Sequence, residues 1–177
     1  MKYQYMENKK EERSIELKET GIIYTSTKTG EHTIPYSDIK KINLLCPMKD
    51  IYVCNIIAAG KPKIAIANRS FISFDHFEYR TDEYTRFIFS LHNRLKEYSS
   101  IEYSCGSSFL YYFMLITIPI IFIVLAAAVI LAYQSGRSLP FSPFIGLLII
   151  VPLAVHYIKK GKKIIYVPEN IPSKYLP

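Results

Sequence analysis

The chain has 177 residues and a formal net charge of +7; 50% of its residues are hydrophobic, 21% are charged, and three are cysteines. A chain this apolar buries enough surface to offset its conformational entropy, which excludes extensive disorder, and three cysteines do not make a disulfide scaffold. The positive charge is concentrated near the C-terminus, where five lysines accompany one glutamate between residues 158 and 177. This distribution argues against a nucleic-acid-binding face elsewhere and favours a membrane flank.

Short runs of β-branched and aromatic residues extend from Ser14 to Asp75 and alternate with turn sequences such as Lys28-Thr29-Gly30-Glu31. They predict about seven strands, with spacings typical of a bent sheet or a barrel. Residues 1–13 have no apolar core and cannot be a cleaved signal peptide. We therefore expect a polar N-terminal segment over residues 1–13.

A helical period begins after Asp75. Apolar residues recur at steps of three and four, at Tyr84, Phe87, Ile88, Leu91, Leu95 and Tyr98. This spacing predicts one amphipathic helix with Thr81 as its N-cap, whose apolar stripe closes the preceding sheet. Residues 14–100 are accordingly predicted to form one α+β domain.

Two apolar stretches without charge follow this domain. Residues 109–133 span about 37 Å as a helix, and residues 141–158 are near the lower limit for crossing a bilayer. With the polar turn at residues 134–140, they predict a two-helix transmembrane hairpin, because the rest of the chain could not cover two helices that are apolar all round. Neither stretch contains Asp, Glu, Lys or Arg, which favours an anchor over a channel or carrier.

Lysine and arginine counts in the flanks predict the orientation of this hairpin. The second stretch is followed by Lys159, Lys160, Lys162 and Lys163, whereas the turn offers only Arg137. The positive-inside rule therefore predicts a multi-pass protein with both termini in the cytoplasm, and residues 159–177 as a cytoplasmic tail.

Six lysines are candidate contacts for lipid headgroups, because basic residues near a membrane attract anionic lipids. They are the four lysines of that flank together with Lys61 and Lys63 in a predicted turn. For the flank the alternative is a simple topology anchor, and for Lys61 and Lys63 it is a solvated turn.

The C-terminal tail is proline-containing and too apolar for a neutral spacer. Its candidate partner-binding residues are Tyr166, Pro168, Ile171, Pro172, Tyr175 and Leu176. Extended segments of this kind dock in grooves or add to sheet edges. Three alternatives stay open: the tail folds back on the domain, binds another protein, or is disordered.

Motifs for catalysis or cofactor binding are not found in the sequence. The glycines form no phosphate-binding loop, the four histidines are scattered, and the cysteines include no C-x-x-C pair. Cys46 and Cys54 fall in predicted strands, where thiols usually act as small buried apolar groups. We therefore expect no enzyme, no metal and no cofactor.

Two segments resemble bacterial pleckstrin-homology-like (PH-like) domains: Gly21-Ile22-Ile23-Tyr24, and Thr33 to Ile42, which reads TIPYSDIKKI. The order of strands before one closing helix is also similar to that of these domains. The resemblance covers about Ser14 to Tyr98. It implies a PH-like bent sheet fused to transmembrane helices in the inner membrane of a bacterium. The tail is similar to the ending of some small bacterial membrane proteins.

The leading functional expectation is a non-enzymatic scaffold that presents the PH-like domain at the cytoplasmic face of the inner membrane. Its partners would be membrane lipids and another protein or a second copy, and no nucleic acid. Two alternatives come from other classes: a lipid-headgroup-sensing or lipid-handling protein, and a small immunity or accessory subunit of a membrane complex.

Overall fold

The computed structural model describes residues 1–135, 151–152, 155 and 162–177. It divides into two compact units. The first combines Met1–Cys105 with Ile164–Pro177, and the second is Gly106–Lys163. The C-terminal tail thus belongs to the same unit as the N-terminal part of the chain.

Eleven strands are present in the described residues. Their bounds are Lys2–Asn8 (β1), Glu11–Leu17 (β2), Gly21–Ser26 (β3), Gly30–Pro35 (β4), Ile39–Met48 (β5), Ile51–Ala58 (β6), Ile64–Ala67 (β7), Arg69–Ser73 (β8), His76–Tyr79 (β9), Glu102–Cys105 (β10) and Ile164–Ile165 (β11). β1 to β4 form an antiparallel meander, a second sheet has the order β11-β10-β5-β6-β7, and β8 pairs with β9. Over the part of the chain that is described, the fold is thus mixed α+β with three sheets and no closed barrel, and it has more strands than the seven predicted.

Helix α1 (Thr81–Leu95) covers the core of the first unit. Five of the six apolar residues at helical spacing are buried as predicted, whereas Tyr98 lies beyond the end of the helix and is half-buried. Phe87 packs against Tyr3 of β1 with the ring centroids 5.6 Å apart. The N-cap position is held by Arg80 rather than Thr81, and no side chain caps the helix there. The prediction of an amphipathic helix that buries its apolar stripe is confirmed.

The polar N-terminal segment predicted for residues 1–13 does not hold, because Lys2–Asn8 forms β1 and pairs with β2. Tyr3 and Tyr5 are buried, and their hydroxyl groups donate hydrogen bonds to the carbonyl oxygens of Ala67 and Ala65. A strand alternates its side chains between two faces, so two tyrosines are enough to bury one face of a segment whose overall composition is polar.

Gly21 allows β3 to approach β4 closely. A Cβ atom at this position would lie 2.5 Å from the carbonyl oxygen of Ile34, a backbone atom that cannot move aside cheaply. Backbone packing therefore requires glycine at the first residue of β3.

The second unit contains one long described helix, α2 (Ser108–Gln134), which includes Pro119. Its stretch from Tyr111 to Ala132 is long and apolar enough to cross a bilayer. This agrees with the first predicted span at residues 109–133. Most of the second predicted span, 141–158, and most of the turn, 134–140, lie outside the described residues.

The apolar segment is inserted between two paired strands of the folded domain. β10 pairs with β11 antiparallel, so that Cys105 is opposite Ile164 and Ser104 is opposite Ile165. Both ends of the insert are therefore at one place in the sheet. The domain was predicted to end at residue 100, shortly after the closing helix. The prediction therefore omitted β10 and β11.

We expect the insert to be dispensable for folding of the domain. Joining residues 1–105 to residues 164–177 through four Gly and Ser residues should give a soluble protein with cooperative unfolding, since opposite Cα atoms of paired antiparallel strands are only about 5 Å apart. Residues 1–105 alone should be less stable by about 3 kcal/mol or more, because they lose the burial of Tyr166 and Tyr175.

Urea unfolding of the two proteins measures this difference. The matched control is the joined protein carrying Tyr166→Ala and Tyr175→Ala, which should unfold like residues 1–105. Equal stability of residues 1–105 and the joined protein would contradict the placement of the tail in the domain.

Candidate functional site

The lysines that are candidate headgroup contacts do not lie together. Lys61 and Lys63 are exposed in the turn between β6 and β7. Cys105 is level with Leu44 in the middle of β5, and the same level passes through Cys54 of β6 to Ile66 of β7, so Lys63 lies three residues from the level at which the insert begins. Lys162 is exposed and Lys163 is half-buried, while Lys159 and Lys160 lie outside the described residues. Headgroup contact by these lysines stays a prediction.

The C-terminal tail folds back on the domain, which was one of the three alternatives. Tyr166 and Tyr175 are buried, and Ile171 and Leu176 pack against the core. Pro168 and Pro172 are half-buried. The backbone N–H of Tyr166 donates to the carbonyl oxygen of Tyr103 at 3.2 Å, which extends the pairing of β10 with β11. Partner binding through the buried tyrosines would require the tail to leave this position.

His92 of α1 holds the start of the tail. Its Nδ1 lies 2.8 Å from the carbonyl oxygen of Ile88, and its Nε2 lies 2.7 Å from the hydroxyl oxygen of Tyr166. A carbonyl oxygen only accepts, so neutral His92 carries its proton on Nδ1, and Nε2 accepts the hydroxyl proton of Tyr166. The ring of Tyr103 packs on both side chains with centroid distances of 5.5 and 5.8 Å. We call His92, Tyr103 and Tyr166 the tail latch.

The tail latch is shielded from solvent. Burial lowers the pKa of His92 to about 4, and the hydrogen bond with Ile88 opposes part of this shift. Burial raises the pKa of Tyr103 to about 12 and raises that of Tyr166 well above its usual range. All three groups are therefore neutral at pH 7, and the latch is suited to holding the tail rather than to exchanging protons with a substrate.

The hairpin of β8 and β9 carries the most exposed apolar group of the folded domain. Phe74 is 90% exposed at its tip, next to Asp75 with a φ of +62°, and Ile72 is 60% exposed. Midway along the hairpin, the rings of Phe71 and Phe77 pack together with their centroids 5.8 Å apart. The middle of the hairpin is therefore packed, while the tip presents apolar side chains to the surroundings.

Paired charges surround the base of this hairpin. The guanidinium of Arg80 lies 3.5 Å from the carboxylate of Glu78 and 3.4 Å from that of Glu83. It also donates a hydrogen bond to the carbonyl oxygen of Gln4, and the Arg80 backbone N–H donates to Asn68 at 2.7 Å. These contacts fix the hairpin to β1 and α1. An apolar centre with a polar rim of mixed charge is the common anatomy of a protein–protein interface.

Residues suited to metal or thiol chemistry are not gathered in the described part of the chain. No three His, Cys, Asp or Glu side chains there lie close enough to hold a metal ion. Cys54 and Cys105 are buried free thiols, and burial raises the pKa of Cys105 to about 12. Both thiols are therefore protonated at pH 7.

Comparisons with known proteins return no family model, no curated protein and no solved structure that matches the chain. The resemblance to PH-like domains accordingly stays a prediction.

Two features of the site were not identified from the sequence. His92 follows Ile88 by four residues and therefore belongs to the buried stripe of α1, a signal that the helical spacing already contained. No pattern in the neighbouring sequence predicts that Phe74 is exposed, because an apolar residue between two strands is equally consistent with burial.

The tail latch predicts a pH dependence of stability. Between pH 6.5 and pH 4, His92 binds a proton in the unfolded chain but not in the folded one. The free energy of unfolding therefore falls as the pH drops through this range. Above pH 6.5 the contribution of His92 to the free energy of unfolding is constant. At 1.36 kcal/mol per pKa unit the loss is at most about 3 kcal/mol.

Urea unfolding of the joined protein from pH 7.5 to pH 4 measures this loss. His92→Gln should be less stable at pH 7.5 and should show a flatter profile, whereas His76→Gln, which replaces an exposed histidine, should leave the profile unchanged. Parallel profiles for the wild type and His92→Gln would contradict a buried neutral His92.

Proposed function

We propose that this chain is a membrane-anchored, non-enzymatic interaction protein, and that it presents its folded domain at the cytoplasmic face of a bacterial inner membrane. The anchor is a hairpin of two spans, residues 109–133 and 141–158. The observation that carries the proposal is the pairing of Cys105 with Ile164, which brackets the apolar segment.

The pairing supports an even number of membrane crossings. If the apolar part of α2 crosses a bilayer, the chain must cross back before Ile164 can pair with Cys105. A crossing takes about 20 apolar residues. Between Ser135 and Lys163 the sequence offers one uncharged stretch near this length, residues 141–158. The lysines that follow it favour the cytoplasm for the folded domain.

The hairpin of β8 and β9 supports a protein partner over a lipid. The hairpin has an apolar tip, and at its base Arg80 pairs with Glu78 and Glu83, so the positive charge of Arg80 is compensated. A lipid-sensing surface would instead present uncompensated basic side chains. The buried tail latch supports a role without catalysis, because its titratable groups hold the chain together.

The rivals named from sequence differ in what they require of this domain. A lipid sensor that used Lys61 and Lys63 would need the turn between β6 and β7 to reach the bilayer. An accessory or immunity subunit would use the same exposed hairpin on one larger chain. The partner is thus a protein with an apolar pocket, or a second copy of this chain.

Purification from native membranes tests the proposal. The full chain with a tag at Pro177 should retain a stoichiometric partner, and Ile72→Ser with Phe74→Ser should reduce its recovery by about tenfold or more, a loss of at least about 1.4 kcal/mol. The matched control is Phe89→Ser, because Phe89 is exposed on α1 away from the hairpin. A second copy with a different tag reports self-association in the same purification.

Equal recovery of the same chains by the hairpin variant and the control would contradict the hairpin as the interface. Recovery of no stoichiometric chain by the wild type would contradict the scaffold role itself.

A further inference from the structure

The outer face of the second sheet carries an apolar pocket. Side chains of a strand alternate between its two faces, and on β7 Ile64 and Ile66 are buried in the core. Ala65 and Ala67 therefore point away from the core, and their small side chains leave space above the strand. The pocket that they line has a volume of about 140 Å³, and its other apolar residues are Met6, Pro47, Ile51, Val53 and Phe77.

The size and lining of this pocket suit one aromatic ring. An apolar cavity of about 150 Å³ is large enough to bind benzene. The lining is apolar except for Glu7 and Arg69, and it already contains the ring of Phe77. Aromatic rings pack well against one another in tilted or edge-to-face arrangements, so an exposed phenylalanine is a suitable occupant.

The chain itself offers such a side chain next to the pocket. Phe74 lies three residues before Phe77 in the same hairpin, and it is 90% exposed, so it does not fill the pocket of its own copy. Contacts across a two-fold axis are reciprocal. An axis between two hairpins that places one Phe74 in the pocket of a second copy therefore places the other Phe74 in the first.

Two charged residues complement each other in this arrangement. The guanidinium of Arg69 lies over the ring of Phe77, 4.5 Å from its centroid, where the pocket has its basic side chain. Asp75 follows Phe74 directly and is exposed. Neither Arg69 nor Asp75 belongs to an ion pair within the described residues. Entry of Phe74 into the pocket brings Asp75 to the side that carries Arg69.

We infer that the partner of the β8–β9 hairpin is a second copy of this chain. Phe74 of each copy enters the pocket above Ala65 and Ala67 of the other copy, and Asp75 pairs with Arg69. The inference rests on the proposed interaction role of the hairpin and names its partner. It involves only residues of the first unit.

Site-specific cross-linking in native membranes tests the inference. Two full-length copies with different tags are expressed together, and both carry Cys46→Ser, which leaves the buried Cys54 and Cys105 in place. One copy carries Ser73→Cys beside the tip, and the other carries Pro47→Cys in the pocket; both positions are exposed. A short bifunctional maleimide joins the two cysteines where they lie close together. The matched control pairs Pro47→Cys with Pro62→Cys in the exposed turn between β6 and β7.

We expect Ser73→Cys with Pro47→Cys to give about tenfold more of the product with both tags than the control pair. Phe74→Ser in both copies should lower the yield by about tenfold, because it removes the entering ring. Ala65→Leu in both copies should lower it as much, since it fills the pocket and leaves the tip unchanged. Phe89→Ser should leave the yield unchanged.

Two outcomes would overturn the inference. One is equal product from Ser73→Cys and from the control Pro62→Cys, and the other is a yield that survives both Phe74→Ser and Ala65→Leu. Purification of the same variants separates this failure from failure of the proposed function. A different chain recovered through Phe74 and unaffected by Ala65→Leu would overturn the second copy as partner and leave the hairpin as the interface. Absence of both the cross-linked product and any recovered chain would overturn the two proposals together.

Discussion

The antiparallel pairing of β10 with β11 determines how the apolar insert is connected to the folded domain. It places Cys105 and Ile164 opposite each other, although the whole apolar insert separates them along the chain. A bilayer crossing that begins after Cys105 must therefore be reversed before Ile164. Under the proposed anchoring, one short antiparallel ladder thus links the fold of the domain to an even number of membrane crossings.

The ladder is short, and the tail stabilises it through contacts beyond the strands. Tyr166 enters the core beside Tyr103 and donates its hydroxyl proton to His92, and Tyr175 is buried where the last turn packs against β5. The two aromatic side chains supply apolar burial that two-residue β11 lacks. The hydrogen bond selects Tyr166 over Phe, because an unpaired Nε2 in a buried site is costly.

Local patterns in the sequence were sufficient for the elements whose partners are nearby. The spacing of Tyr84, Phe87 and Leu91 predicted the buried face of α1. The uncharged run after Ser108 predicted the long apolar helix α2. The two strands that close the domain could not be found in this way, because β10 pairs with residues of β5 about 60 positions earlier and with β11 after the insert. β1 was missed for another reason: only alternate residues of a strand need be apolar, and here they are two tyrosines.

Labelling with a membrane-impermeant thiol reagent tests whether the chain crosses the membrane twice between Cys105 and Ile164. In the full chain with Cys46→Ser, single cysteines replace Ser135 at the end of α2 and Ser173 in the docked tail, both of which are exposed. We predict that Ser135→Cys is labelled in intact cells and that Ser173→Cys is labelled only after lysis, because one crossing separates them. Labelling of both cysteines from the same side of the membrane would contradict it.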